Sequence, residues 1–329
     1  MNRLLLIVAC SIVALSDAFH YKVVTSQDVE PGTSFPVVNE RGDYYVYAAV
    51  ARIAANPNYY RNVLVMNADT STYMSVYDIA HSVQSTNQLN SFKITIGSSG
   101  GQGLRIWDKN TDFVRMPYSL YITQDSNSVD VYSAGFSESS AEPYMTLSNF
   151  WMQRDSSIEI FSAPPYDTGS SHRIFHMTDY LAGNNSYCTI MGPIATLYNS
   201  RSSKNQFSFL VDTTSNFYHF DPLRAPASVA VSTPGYARAS EQYAYPYPIN
   251  FPQQQLYNFA FPCKVTMWLI GTFTNDLSLT ADFIGQKTES YTYTSQRDTS
   301  VEKKDISRVQ LSLARPAPIP NDSFEFRLE

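Results

Sequence analysis

The run LYNFAFPCKVTMWLIGTF, residues 256–273, alternates apolar and polar side chains. In an extended chain, one face of this run carries the apolar set: Tyr257, Phe259, Phe261, Cys263, Val265, Met267 and Leu269. A period of two is typical of a β-strand with one buried face, whereas a helix would scatter these side chains around its axis. Pro262 would break a helix, and in a strand it marks a joint or a bulge. We therefore predict two strand segments that meet near Pro262 in the centre of a β-rich core, with Cys263 pointing into that core.

The composition of the whole chain also favours strands. The 329 residues include 24 Tyr and 19 Phe, and only 16% are charged. Aromatic and β-branched residues are enriched in strands, and the short apolar runs recur between turn signals about 8–12 residues apart, as in sandwiches and barrels. The sequence therefore predicts an all-β chain of two tandem antiparallel β-sandwiches. The net charge of −6 argues against nucleic acid or an anionic membrane as the main partner.

A Pro- and Gly-containing segment divides the chain into two halves. Residues 162–171, SAPPYDTGSS, combine turn residues and small polar residues between two strand-like runs. We predict a first sandwich over residues 19–161, a linker over 162–171 and a second sandwich over 172–287. Residues 288–329 are polar and Pro-rich, and we expect them to form a tail.

The first 18 residues have the pattern of a secretory signal. Arg3 precedes the apolar run Leu4–Leu15, which is too short to span a bilayer. Ser16 and Ala18 place small residues before a cleavage point that would follow Ala18. No other run approaches membrane length, so we expect a secreted, extracellular protein without a membrane span.

Cleavage of that signal would remove Cys10 and leave Cys188 and Cys263. In an oxidising compartment, an even pair of cysteines predicts one disulfide, which would stabilise the fold by roughly 4 kcal/mol in the chain-entropy model. The alternative, a metal site or nucleophilic pair, lacks a neighbouring His or second Cys. Asn184 and Asn321 begin N-glycosylation sequons.

Part of the first half resembles a known extracellular family. The run LRIWDKN at Leu104–Asn110 ends a strand in Asp, and a Pro-aromatic strand at 117–122 and an alternating strand at 129–133 follow it. This pattern resembles the CUB-like domains of secreted nematode proteins. The resemblance implies a jelly-roll-like β-sandwich and an extracellular binding role, and it carries over no catalytic residue. The first half keeps no cysteine after signal cleavage, so the disulfides of that family are absent.

Two motifs invite a catalytic or transition-metal interpretation. Gly97–Gly101, GSSGG, fits G-x-S-x-G, but a strand-like run follows it where the nucleophile elbow needs a helix, so we predict a hairpin turn. His172 and His176 share a face and Asp179 is close in sequence, which could build a metal site. Chance pairing at a domain edge explains the same residues.

Acidic residues in the first half invite a calcium interpretation. Four of them could converge at one end of a sandwich: Asp69, Asp78, Asp108 and Asp112. Asp is also an ordinary turn residue, so turn chemistry explains these positions without an ion. We predict neither a metal nor a cofactor.

Tyrosines supply the candidate contact surface. Tyr243, Tyr245 and Tyr247 alternate in a Pro-containing loop and could contact a ligand. Burial of the same rings against the sandwich faces is the alternative. We expect a non-enzymatic recognition protein that acts in defence or at an extracellular surface and whose partner is an extracellular protein or glycan. A structural matrix component and a secreted hydrolase on a β-scaffold are the two other hypotheses.

Overall fold

The described part of the chain is built almost entirely of β-strands, as predicted. A computed structural model describes residues 21–51, 57–85, 88–111, 116–124, 129–133, 145–161, 173–190, 194–198, 207–212, 222–232, 254–271, 279–293, 299–313 and 322–328. Within these ranges the regular structure consists of 23 strands and two short helices. Neither helix in these ranges is long or apolar enough to cross a membrane.

Residues 21–123 contain ten strands and both helices. Their bounds in chain order are β1 Tyr21–Thr25, β2 Ser34–Val38, β3 Gly42–Val50, α1 Pro57–Arg61, β4 Val63–Asn67, β5 Thr72–Ser75, α2 Val76–His81, β6 Val83–Ser85, β7 Gln88–Leu89, β8 Phe92–Ile96, β9 Leu104–Asp108 and β10 Tyr118–Thr123.

Eight of these strands form a jelly roll. One four-stranded sheet has the order β1-β10-β3-β8 and the other has the order β2-β9-β4-β5. The first strand pairs with the last, β2 with β9, β3 with β8 and β4 with β5, all antiparallel. The pairs are nested within one another along the chain, as in a long hairpin that is folded into two sheets. This is the jelly-roll arrangement.

The two sheets of the jelly roll differ in how they are covered. Every residue of β10 is buried, so the sheet that contains it, here called the inner sheet, is covered on both faces around this strand. In the other sheet, called the outer sheet, β9 alternates between buried and accessible residues. Alternation is expected of a sheet that has one face on the core and one face toward solvent.

The second half of the chain supplies most of the remaining strands. Their bounds are β11 Val129–Ser133, β12 Met145–Met152, β13 Ser157–Phe161, β14 Arg173–Thr178, β15 Gly183–Ile190, β16 Ile194–Tyr198, β17 Phe207–Asp212, β18 Ala227–Ser232, β19 Gln254–Gly271, β20 Leu279–Ile284, β21 Thr288–Tyr293, β22 Thr299–Leu313 and β23 Asp322–Leu328.

These strands build a second sandwich. A six-stranded sheet has the order β14-β13-β16-β11-β7-β6, and a nine-stranded sheet has the order β17-β12-β15-β18-β23-β19-β22-β20-β21. Aromatic rings join the two sheets: Phe150 of β12 lies 6.0 Å from Phe175 of β14, and Tyr132 of β11 lies 5.0 Å from Phe209 of β17, between ring centroids. One cluster of buried side chains runs from Val23 to Ala230, so both sandwiches contribute to the same core.

The expected domain boundary does not coincide with a break between sheets. Residues 162–171, themselves outside the described ranges, join β13 to β14, and these strands pair antiparallel in the same sheet. Strand β11 of the first half pairs with β16 of the second. The composition of 162–171 marks a turn as well as it marks a linker, which is why the sequence alone misplaces the boundary.

The expected tail is also part of the fold. Residues 288–329 contribute β21, β22 and β23 to the nine-stranded sheet. Strand β22 lies between β19 and β20, and its Ile306, Val309 and Leu311 are buried. Its other positions are mostly charged or polar, so the average composition hides an amphipathic strand.

Strand β19 contains the joint predicted at Pro262. Its register against β22 shifts between Asn258 and Cys263 and again after Cys263, which is the signature of a bulge. On either side of this bulge the alternation holds, because Tyr257, Phe259, Val265 and Met267 are buried. Phe261 within the bulge is 73% exposed, so its predicted place on the buried face is wrong.

The predicted disulfide is also wrong, since Cys188 and Cys263 are both thiols. Cys188 lies on β15 and Cys263 on β19, and β18 and β23 lie between these strands in the sheet. Three strand spacings amount to about 14 Å, whereas the Cα atoms of a disulfide lie within about 7 Å. The even count of cysteines carries no information about which strands are neighbours.

Several other predicted features lie outside the described residues, namely the signal at 1–18, Asn321 and the tyrosines Tyr243, Tyr245 and Tyr247. Asn184 lies near the start of β15. Its glycosylation stays a prediction.

Candidate functional site

The accessible face of the outer sheet carries a row of large side chains across all four strands. Pro36 of β2, Arg105 of β9, Met66 of β4 and Tyr73 of β5 lie side by side in register. The next row on this face consists of Ser34, Trp107, Leu64 and Ser75. We call these two rows the outer face.

Two aromatic side chains of the outer face are exposed. Tyr73 is 60% exposed and Trp107 is 37% exposed. Leu64 lies between Trp107 and Ser75 in its row and is buried, although it does not belong to the central core cluster. The outer face therefore has exposed aromatic side chains and, next to Trp107, a buried apolar side chain.

The alternation of β9 explains why these side chains point outward. In the sequence LRIWD, Leu104, Ile106 and Asp108 are buried, while Arg105 is half-buried and Trp107 is exposed. Successive residues of a strand point to opposite faces, so the side chains at the first, third and fifth positions of β9 face the core. An aromatic residue and an arginine are left on the solvent side.

Arg105 is held in place by its neighbour on β2. Its Nε donates to the Ser34 hydroxyl at 2.8 Å, and its Nη2 donates to the Ser34 carbonyl at 3.0 Å. These bonds use two of the five N–H donors of the guanidinium. The group is fixed on the sheet and can still donate to a bound partner.

Two cation–π pairs lie at one end of the outer sheet. The Lys109 ammonium is 4.5 Å from the Trp107 ring centroid, and the Arg61 guanidinium is 4.5 Å from that of Tyr77. The Lys109 amide donates to the Asn62 carbonyl at 2.9 Å, so the chain segments that carry Lys109 and Arg61 are neighbours. Such contacts contribute about 0.5–1 kcal/mol at exposed positions.

The Tyr77 ring also stacks against His81. The two rings stack with centroids 4.0 Å apart, and His81 Nδ1 lies 2.8 Å from the Tyr77 carbonyl oxygen. Arg61 and His81 therefore both lie against the Tyr77 ring.

The carboxylate nearest in sequence to these cations is turned into the protein. Asp108 is 1% exposed and accepts hydrogen bonds from the Tyr59 hydroxyl at 3.3 Å, the Asn110 amide at 2.9 Å and Asn110 Nδ2 at 2.8 Å. In the described part of the chain, the ion pairs are Lys93–Asp43, Lys264–Glu302 and Lys303–Glu289, all elsewhere. The cations of the outer sheet are thus available to a partner.

The acidic residues considered for calcium that the structure describes accept hydrogen bonds from protein groups. Asp69 accepts the amides of Gln102 and Gly103 at 2.8 and 3.0 Å. Asp78 accepts the Ser75 hydroxyl at 2.6 Å at the start of α2. Asp112 lies outside the described residues. Across the ranges that are described, no three His, Cys, Asp or Glu side chains are grouped as a metal would need.

The structure also describes most residues of the other two sequence motifs. Gly97–Gly101 leads from β8 in the inner sheet to β9 in the outer sheet, so it is a crossing between sheets and the predicted hairpin is wrong. His176 lies on β14, and Asp179 accepts the Asp155 amide at 2.8 Å. His172 lies outside the described residues.

The contact surface predicted from the sequence is the 243–247 loop, which lies outside the described residues, and the prediction does not include Tyr73 or Trp107. The signal for Trp107 is a large aromatic residue at a polar position of an otherwise regular alternation. Tyr73 gives a weaker signal, because β5 has only four residues, TYMS.

No protein-family model matches the chain, and no curated protein matches it. Among solved structures, a DUF4785 family protein from Legionella pneumophila is similar at 7% identity, with 94% of this chain and 78% of that chain covered and a TM-score of 0.19. A similarity of this size carries no argument about fold or function.

Proposed function

We propose that the chain is a secreted, non-enzymatic recognition protein and that it binds its partner through the outer face. The observation that carries this proposal is the exposure of Tyr73 and Trp107 beside an arginine that is already fixed by Ser34. Trp, Tyr and Arg are the residue types most enriched among those that dominate binding energy in interfaces.

The outer face needs little ordering before it binds. Aromatic side chains have few rotatable bonds, and the strands that carry them are paired on the sheet. The hydrogen bonds to Ser34 already restrict the conformations of the Arg105 side chain in the unbound protein. Preorganisation of this kind raises affinity by lowering the entropic cost of association.

Features of the sequence support the extracellular part of the proposal. The pattern of residues 1–18 is that of a secretory signal. The run LRIWDKN, one of the three segments that carry the resemblance to CUB-like domains, contains β9 and includes Arg105, Trp107 and Lys109. The jelly roll of residues 21–123 is the architecture that this resemblance implies.

The test is a comparison of binding by the purified full chain and its variants. A glycan array and an array of extracellular proteins are probed with the labelled protein, with and without calcium. We expect specific binding that falls about tenfold or more in Trp107→Ala or Tyr73→Ala, as for central interface residues.

Trp151→Ala is the matched control, because Trp151 is 54% exposed on β12 of the nine-stranded sheet. This variant is expected to bind as the original chain does. Binding that survives both outer-face substitutions and is lost in Trp151→Ala would overturn the assignment of the surface.

A further inference from the structure

We infer that the outer face binds a protein surface whose carboxylates surround an apolar centre. This inference rests on the proposed function and names the chemistry of the partner. Three features of this face support it: its charge, the groups that lie against its rings and its apolar centre.

Charge is the first evidence. Arg61, Arg105 and Lys109 lie on the outer face or at its end, and no carboxylate in the described ranges pairs with any of them. The outward positions of the four strands contain no acidic residue. The chain as a whole has a net charge of −6, so this cationic surface is a local exception that complements an anionic partner.

At the end of the outer sheet that carries Lys109 and Arg61, the aromatic rings lie against other side chains. Sugar rings stack on free aromatic faces, but Lys109 lies over Trp107, and Arg61 and His81 lie against Tyr77. These rings therefore hold cations in position, and what they present at this end is positive charge. That arrangement favours recognition of carboxylates over stacking on a neutral sugar.

The centre of the face is the third evidence. Met66 and Tyr73 are accessible beside Arg105, and buried Leu64 lies in the next row. Met, Tyr, Trp and Arg are enriched in the cores of protein interfaces, whereas Lys is depleted there. Lys109 lies beyond the end of β9, at the rim. This division into an apolar core and a charged rim is that of a protein-binding surface.

The two parts of the face have separable effects on binding. Rim charges mainly set the association rate and its salt dependence, whereas buried aromatic contacts mainly set the dissociation rate. We expect Arg61→Glu and Lys109→Glu to slow association, and Trp107→Ala to speed dissociation.

The experiment uses defined probes with the full chain. The probes are a synthetic peptide with a Leu-Tyr-Leu centre flanked by Glu residues, the same peptide with Gln for Glu, a Glu peptide with a Ser centre, and heparin. We expect the Glu-flanked apolar peptide to bind best, with affinity reduced about tenfold by Arg61→Glu combined with Lys109→Glu. Lys304→Glu is the control, because Lys304 is exposed on β22 of another sheet.

The outcomes separate failure of the inference about the partner from failure of the proposed function. Equal binding of the Gln peptide, preference for heparin, or binding of none of the probes would overturn the inference of a carboxylate-bearing protein partner. The proposed function would still hold if an array ligand were lost in Trp107→Ala. Retention of all binding in Trp107→Ala and Tyr73→Ala would overturn both.

Discussion

Gly103 fixes the close approach of two loops at one end of the jelly roll. Its φ is +65°, and a Cβ added there would lie 2.2 Å from the Val38 carbonyl oxygen. The substitution Gly103→Ala therefore brings both a disfavoured conformation and a clash with backbone, and we expect a loss of about 2 kcal/mol or more in unfolding free energy.

Urea denaturation of the full chain measures this loss. Gly97→Ala is the control, because a Cβ at Gly97 meets nothing within 4 Å. Equal stability of the two variants would contradict the described geometry of the 97–103 loop.

The thiol of Cys263 gives a prediction about pH. Burial raises the pKa of this thiol to about 11, so it is protonated at pH 8 and reacts slowly as a nucleophile. We expect iodoacetamide to modify Cys263 slowly at pH 8 and markedly faster as the pH approaches 11, provided that the chain stays folded.

Mass spectrometry of a non-reduced digest should show two separate thiol peptides, one with Cys188 and one with Cys263. A peptide that links Cys188 to Cys263 would contradict the structure.

Strand β19 offers a test of the bulge at the scale of one element. Phe259 is 8% exposed and Phe261 is 73% exposed, although both occupy the apolar phase of the same alternation. We expect Phe259→Ala to cost about 3–5 kcal/mol of unfolding free energy and Phe261→Ala to change it by about 0.5 kcal/mol or less. Similar losses in the two variants would mean that the alternation continues through the bulge.

The same strand shows how much of an element the sequence can predict. Period-two patterning identifies β19 and places most of its buried side chains, because local alternation reflects which face is covered. Pro262 locates the bulge but not its extent, so Phe261 was assigned to the wrong face. For β9, the alternation of LRIWD contains the information that Arg105 and Trp107 face solvent, but a single exposed aromatic residue is common and does not by itself identify a site.

At the scale of the whole molecule, the two sandwiches share a core. The cluster of buried side chains runs from Val23 to Ala230, and β11 joins a sheet made mostly of later strands. We therefore expect one cooperative transition in differential scanning calorimetry of the full chain. Two well-separated transitions, one for residues 19–161 and one for 172–287, would support the division that composition suggests and contradict the shared core.

Strand neighbours are the part of the fold that the sequence could not supply. The all-β class follows from composition and turn spacing, which are local properties. Pairing of β11 with β16, or of β23 with β18 and β19, joins segments far apart in the chain. Such pairings depend on how complete faces fit together, and for that reason both the disulfide and the domain boundary were misjudged.

The most direct test of the outer face as a binding surface is hydroxyl-radical footprinting of the full chain, with and without the Glu-flanked Leu-Tyr-Leu peptide. If the outer face is the binding surface, oxidation of Tyr73 and Trp107 falls on binding while oxidation of Trp151 stays unchanged. Unchanged oxidation of Tyr73 and Trp107 in the presence of bound peptide, or protection of Trp151 alone, would contradict it.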